Sequence, residues 1–139
     1  MTEFTQEMQL CLQIPLLQSR INKRIDNTLS LHGIGFTEFQ VMYYLSQAQG
    51  TALRRIELAS AIGLSASGVT RLLLPMEKNR LVTKERNARD ARVSLVKLTK
   101  SGNKILEDTM QSFSEITESL LQSLDNKEIS HLLKLIIKL

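Results

Sequence analysis

Apolar residues recur every three or four positions early in the chain. Ile14, Leu17, Ile21, Ile25 and Leu29 fall on one face of a predicted helix. Pro15 has no N–H to donate and crowds the preceding turn, so the main helix is predicted to start there, after a short or kinked segment. Gly33 and Gly35 interrupt the pattern and Phe36 restarts it. Thr37 is read as the cap of the second helix, with Gln40 three residues on and Phe36 stapled to Val41. That helix is predicted to reach about Ala48, before Gly50. Residues 54–79 read as a short helix and a longer one, parted by Ile62-Gly63-Leu64. Residues 81–86 and 93–98 are rich in valine and leucine with polar alternation, which predicts two strands joined by a hairpin loop at 87–92. A long helix follows from about Ser101. Its apolar members Ile105, Leu106, Met110, Phe113, Ile116, Leu120, Leu121 and Leu124 span roughly a 160° arc, with Glu107, Asp108, Glu115 and Glu118 opposite.

Asp125 and Glu128 form a capping box for a final helix. There Ile129, Leu132, Leu133, Leu135, Ile136, Ile137 and Leu139 spread over roughly 200° of the circumference. A helix packed on one side of a monomer needs about half that width. The surplus apolar face predicts burial against a second copy of the chain.

Arg55 to Leu74 has the spacing of a helix-turn-helix. Two helices crossing at about 90–120° need a small residue at their contact and a left-handed residue in the turn. Ala59 and Gly63 supply these, four positions apart, while Leu58, Ile62, Leu64, Val69 and Leu72 are read as pointing into the crossing. Ser65 is the expected N-cap of the second helix. With Val69, Leu72, Leu73 and Met76 facing inward, Ser67, Gly68, Thr70 and Arg71 face outward. Small polar residues with one long basic side chain suit a helix inserted into a DNA major groove. Pro75 is expected to bend or distort this helix just beyond its outward-facing half.

The hairpin completes a winged helix. Arg86, Arg89 and Arg92 flank or occupy its tip, and Ala88 and Ala91 leave space for an arginine to reach a minor groove or phosphate. Asp90 would repel phosphate if free, so it is assigned to orienting Arg92 or Arg89 through a charge-assisted bond.

Charge distribution sharpens this reading. The 139 residues carry a net +4, but residues 51–104 hold twelve Lys/Arg against four acidic residues, a net of +8, between mildly acidic ends. That basic middle, with Arg54 at its start, points to a polyanion partner. A single cysteine, Cys11, forms no internal disulfide and fits a reducing cytosol. Apolar runs are far short of the ~20 residues needed to span a bilayer, and no secretory signal is visible. A membrane protein, a secreted scaffold and a multidomain enzyme are therefore disfavoured.

The order of helices, helix-turn-helix, winged hairpin and two terminal helices, with the Asp90-Ala91-Arg92 motif, resembles the MarR family of bacterial transcriptional regulators. Residues 35–45, 64–82 and 90–102 carry the similarity, which extends over essentially the whole chain. The resemblance implies a mainly α fold with a small β-hairpin wing. It divides the chain into an N-terminal dimerisation helix (1–35), a winged helix-turn-helix (36–100) and C-terminal dimerisation helices (101–139). It also implies a cytoplasmic homodimer, a repressor on a pseudo-palindromic operator in double-stranded DNA, released by a small aromatic or apolar effector. DNA-binding residues would be Arg54, Ser65, Ser67, Gly68, Thr70, Arg71, Arg89, Asp90 and Arg92, with Arg92 in the minor groove. No cofactor is implied.

Two other readings use the same residues. Cys11 is similar to the first-helix cysteine of the family's peroxide-sensing branch, although no tyrosine accompanies it in the first helix to raise its thiolate character. A protein-interaction adaptor could use the same fold without DNA, against which the basic middle segment counts. His32 and His131 stand apart from any metal-ligand spacing. Phe36, Phe39, Tyr43 and Tyr44 are read mostly as core, with one side available to a ligand pocket near the dimerisation helices. No nucleophile–base pair, paired-carboxylate site or phosphate loop supports an enzyme.

Overall fold

The computed structural model describes all residues 1–139. Its first helix, α1 (Gln6–Leu29), is capped by the Thr5 hydroxyl, which accepts from Met8 N–H. Pro15 lies inside this helix and does not start it. A proline removes one rung of the ladder and strains the turn before it, but the surrounding turns continue on both sides and Pro15 remains exposed. Gly33 closes the following turn at φ 78°.

The second helix, α2 (Phe36–Gln47), starts differently from the sequence expectation. Gly35 is the N-cap, so Thr37 sits in the first turn. Glu38 Oε1 accepts from Gly35 N–H at 3.1 Å, and Asp26 Oδ1, reaching across from α1, accepts from Phe36 N–H at 2.7 Å. Two carboxylates thus satisfy the Gly35 and Phe36 N–H groups, and the capping box closes at Gly35 and Glu38 in place of Thr37 and Gln40.

A short strand, β1 (Ala52–Arg54), precedes α3 (Arg55–Ile62) and α4 (Ala66–Lys78). Strands β2 (Val82–Arg86) and β3 (Ser94–Leu98) form the hairpin. The antiparallel sheet has the order β1-β3-β2, with Leu53 opposite Val96 and Lys84 opposite the same residue on the other side. Helix α5 (Lys100–Leu120) and helix α6 (Asn126–Ile137) complete the chain. Leu121 and Leu124, expected on the apolar face of the long helix, lie instead in the turn after it, because α5 ends at Leu120.

One apolar core joins these elements. Ile25 and Leu29 of α1, Met42 and Leu45 of α2, Leu58 of α3, Leu73 and Met76 of α4, Val82 and Val96 of the sheet and Leu106 of α5 are all buried. The periodic residues of α1 split: Ile25 and Leu29 are buried, whereas Ile14 and Leu17 are exposed. Helix α6 buries no residue, although its Asp125–Glu128 capping box forms as expected. No single helix is long and apolar enough to cross a membrane.

Candidate nucleic-acid interface

The chain bends by 105° between α3 and α4. Gly63 makes the turn at φ 69°, its N–H and that of Leu64 both donating to the Ala59 carbonyl. Leu58, Ala59 and Val69 are buried at the crossing and Ile62 and Leu72 are half-buried. Leu64 departs from its assignment and is 38% exposed. It follows the left-handed turn residue directly, so its side chain leaves the crossing as the chain changes direction.

Ser65 caps α4, its hydroxyl accepting from Gly68 N–H at 3.1 Å. The outward face is as the periodicity predicts. Ser67, Thr70 and Arg71 are exposed and Gly68 is half-buried, while Val69, Leu73 and Met76 sit in the core. Thr70 donates its hydroxyl to the Ala66 carbonyl, leaving its lone pairs outward. The helix continues through Pro75 to Lys78. Pro75 is exposed, so water can reach the Arg71 carbonyl that it leaves without a helical donor.

At the wing tip, Asp90 grips Arg92 by three bonds: backbone N–H to Oδ1 at 3.0 Å, Nε to Oδ1 at 3.1 Å and Nη2 to Oδ2 at 3.2 Å. The Arg92 side chain is 90% exposed despite this clamp. Hydrogen bonding from the Arg92 guanidinium, then from its backbone, holds the Asp90 carboxyl below its ordinary pKa. Arg89 N–H donates to Asn87 Oδ1, closing the preceding turn. Arg54 stands apart from the wing tip, as the N-cap of α3. Its backbone N–H and Nε both reach Glu57 Oε1, at 2.9 and 3.2 Å.

The sequence reading missed one cluster, in which Glu77 of α4 faces Arg55 of α3 and Lys84 of β2 at 3.9 Å each. Cys11 is exposed on α1. His32 Nε2 lies 2.9 Å from Ser112 Oγ of α5, and no group of three His, Cys, Asp or Glu residues is arranged to hold a metal.

Comparison with known proteins agrees with this architecture. Residues 22–109 match the family described as transcriptional regulator SarA/Rot. The chain belongs to that family of transcriptional regulators, on the MarR winged-helix fold. It is 25% identical over 113 residues to YhbI, an HTH-type transcriptional regulator of Bacillus subtilis, covering 81% of this chain and 72% of that protein. A cysteine-to-serine mutant of MarR from E. coli, solved with operator DNA, superposes with a TM-score of 0.86 at 24% identity, over 99% of this chain and 98% of that one. Wild-type MarR without DNA gives 0.77 at 25% identity, over 93% and 95%. A SarA/Rot regulator on this scaffold is not an enzyme.

Proposed function

We propose that the protein is a homodimeric repressor that binds pseudo-palindromic double-stranded DNA through α4 and the wing. The observation that carries this reading is the pairing of an outward polar face on α4 with an exposed Arg92 hydrogen-bonded by Asp90. Arg71 is the major-groove reader and Arg92 the minor-groove contact, with Ser65, Ser67, Gly68 and Thr70 allowing close approach of α4. Arg89, in the wing, and Arg54, beside α3, add contacts to phosphate. The operator-bound form of MarR is a relative with the same winged lobe.

Residues 1–35 and 101–139 form the dimerisation part in this reading, around the winged lobe of 36–100. Its support is exposed apolar surface on both terminal helices: Leu10, Leu12 and Leu16 of α1 and Leu133 and Ile136 of α6 are all a little over half exposed, and Ile137 of α6 is 82% exposed. A cavity of about 540 Å³ lies between them, lined by Leu17, Ile21, Leu124, Leu132 and Ile136 with Arg20 and Arg24 at its edge. A second copy would cover it. The effector belongs elsewhere, in a cavity of about 440 Å³ between α2 and α5 lined by Phe36, Phe39, Tyr43, Tyr44 and Phe113. Phe39 is buried at the base of this cavity against Phe113, ring centroids 4.4 Å apart, while Tyr43 is 39% exposed on its wall, where a flat aromatic ligand could pack.

Selection from a randomised duplex library tests the DNA reading. Enrichment of a two-fold related sequence, with half-sites about one helical turn apart, is the expected result. Binding without sequence preference, or none at moderate salt, overturns it. For the effector, thermal-shift screening against small aromatic acids should give a hit that also releases the selected duplex, and that a variant of the exposed wall residue, Tyr43→Ala, loses.

A further inference from the structure

A carboxylate oxygen without solvent contact or hydrogen bond sits where three elements meet. Glu77 Oε1, in the last turn of α4, and Arg55 Nε, at the start of α3, are both buried and unbonded. Arg55 Nη2 lies 3.9 Å from Glu77 Oε1, and Lys84 Nζ lies 3.9 Å from Glu77 Oε2. The Glu77 side chain is 24% exposed, so it is this one desolvated oxygen that is costly unless opposite charges stand near it. Here they come from separate elements, so the charge that stabilises Glu77 also ties those elements together. Lys84 lies mid-strand in β2, two residues before Arg86 at the root of the wing loop. The turn joining α4 to β2 carries Arg80 at φ 61°, a backbone state that L-residues rarely hold unaided.

We propose that Glu77 is a positioning residue for DNA recognition. By drawing Lys84 of the wing strand and Arg55 of α3 onto the end of α4, it fixes the wing relative to the recognition helix. Arg71 and Arg92 then meet one duplex in a single register. This inference rests on the DNA-binding reading above. The sign of the electrostatics makes it separable from a simple charge effect. A carboxylate near DNA repels it, so deleting that charge alone would tighten binding to every sequence equally. Loss of positioning instead lowers affinity for the cognate sequence relative to any other.

The experiment measures affinity for two probes: the duplex most enriched by the wild-type protein from a randomised library, and a scrambled duplex of equal length and composition. Glu77→Gln should lower the cognate-to-scrambled ratio about tenfold, a coupling of ordinary size for contacting charges. Lys84→Gln should lower it similarly, and the double variant should fall no further. If Glu77→Gln fails to fold, Lys84→Gln carries the test, since Lys84 is 54% exposed. A lysine serving only as a phosphate contact would weaken both duplexes and leave the ratio unchanged. An unchanged ratio in the single variants, or additive losses in the double variant, overturns the proposal. A wild-type protein with no cognate preference would instead remove the DNA-binding reading, and the proposal with it.

Discussion

Asp26 caps a helix that begins ten residues further along the chain, and its carboxylate is the partner of the Phe36 N–H. Asp26→Ala should therefore cost about 1 kcal/mol of stability in urea denaturation, the usual worth of a lost N-cap. Gly102 is tighter still. A Cβ there would collide with the Leu81 carbonyl and stand 2.8 Å from Leu98 Cδ1, where Thr99 also bonds the Arg80 and Leu81 carbonyls. Gly102→Ala should destabilise by about 2–3 kcal/mol, at the upper end for overpacking, and a neutral substitution would show that α5 can lift from the sheet. Asp90 makes a pH prediction. Its carboxyl is held below the ordinary value in the folded wing, so the clamp is intact above the ordinary aspartate range and is lost as pH falls through the lower folded value. An NMR titration of Arg92 Nε should have its midpoint below about 3.9, the unperturbed aspartate pKa, and a midpoint at or above that value would mean the clamp is absent in solution. The Asp90–Arg92 pair was legible in sequence because it is local, two residues apart. The Asp26 cap was not, because nothing in the spacing of residues 26 and 36 signals that α1 and α2 cross there.

Elements with strong periodicity and closely spaced punctuation were legible: α3, Gly63 and α4, the two wing strands to within a residue, and the Asp125–Glu128 cap of α6. Strand β1 was not. Three residues, Ala52-Leu53-Arg54, carry no alternation to read, and they are a strand because β3 supplies the partner through Leu95–Lys97. The Arg55–Glu77–Lys84 cluster was hidden for the same reason, since its members lie on three elements. On DNA, α4 and the wing should separate by energetics. Arg71→Ala should cost about 1–3 kcal/mol on the cognate duplex and relax preference at one position per half-site. Arg92→Ala should weaken cognate and scrambled duplexes more evenly and flatten the salt dependence by about one unit of slope. An Arg92→Ala protein with unaltered affinity and salt slope would remove the wing from the interface.

Across the whole molecule, the apolar face of α6 that the sequence spread over roughly 200° is left open by a single chain, and the exposed Leu17 of α1 lines the cavity beside it. Folding and dimerisation are expected to be coupled, so removal of residues 129–139 should yield aggregated or unfolded protein in sedimentation and circular dichroism. A well-behaved folded monomer from that truncation would contradict the dimer. Two related copies of α4 and the wing should meet one duplex in different grooves. Chemical footprinting on the selected duplex, with wild type, Arg71→Ala and Arg92→Ala side by side, tests it most directly. Two major-groove protections about one turn apart, flanked by minor-groove protections, are expected. Arg71→Ala should lose the former and Arg92→Ala the latter. A wild-type footprint confined to one groove, or one that both variants leave intact, would contradict it.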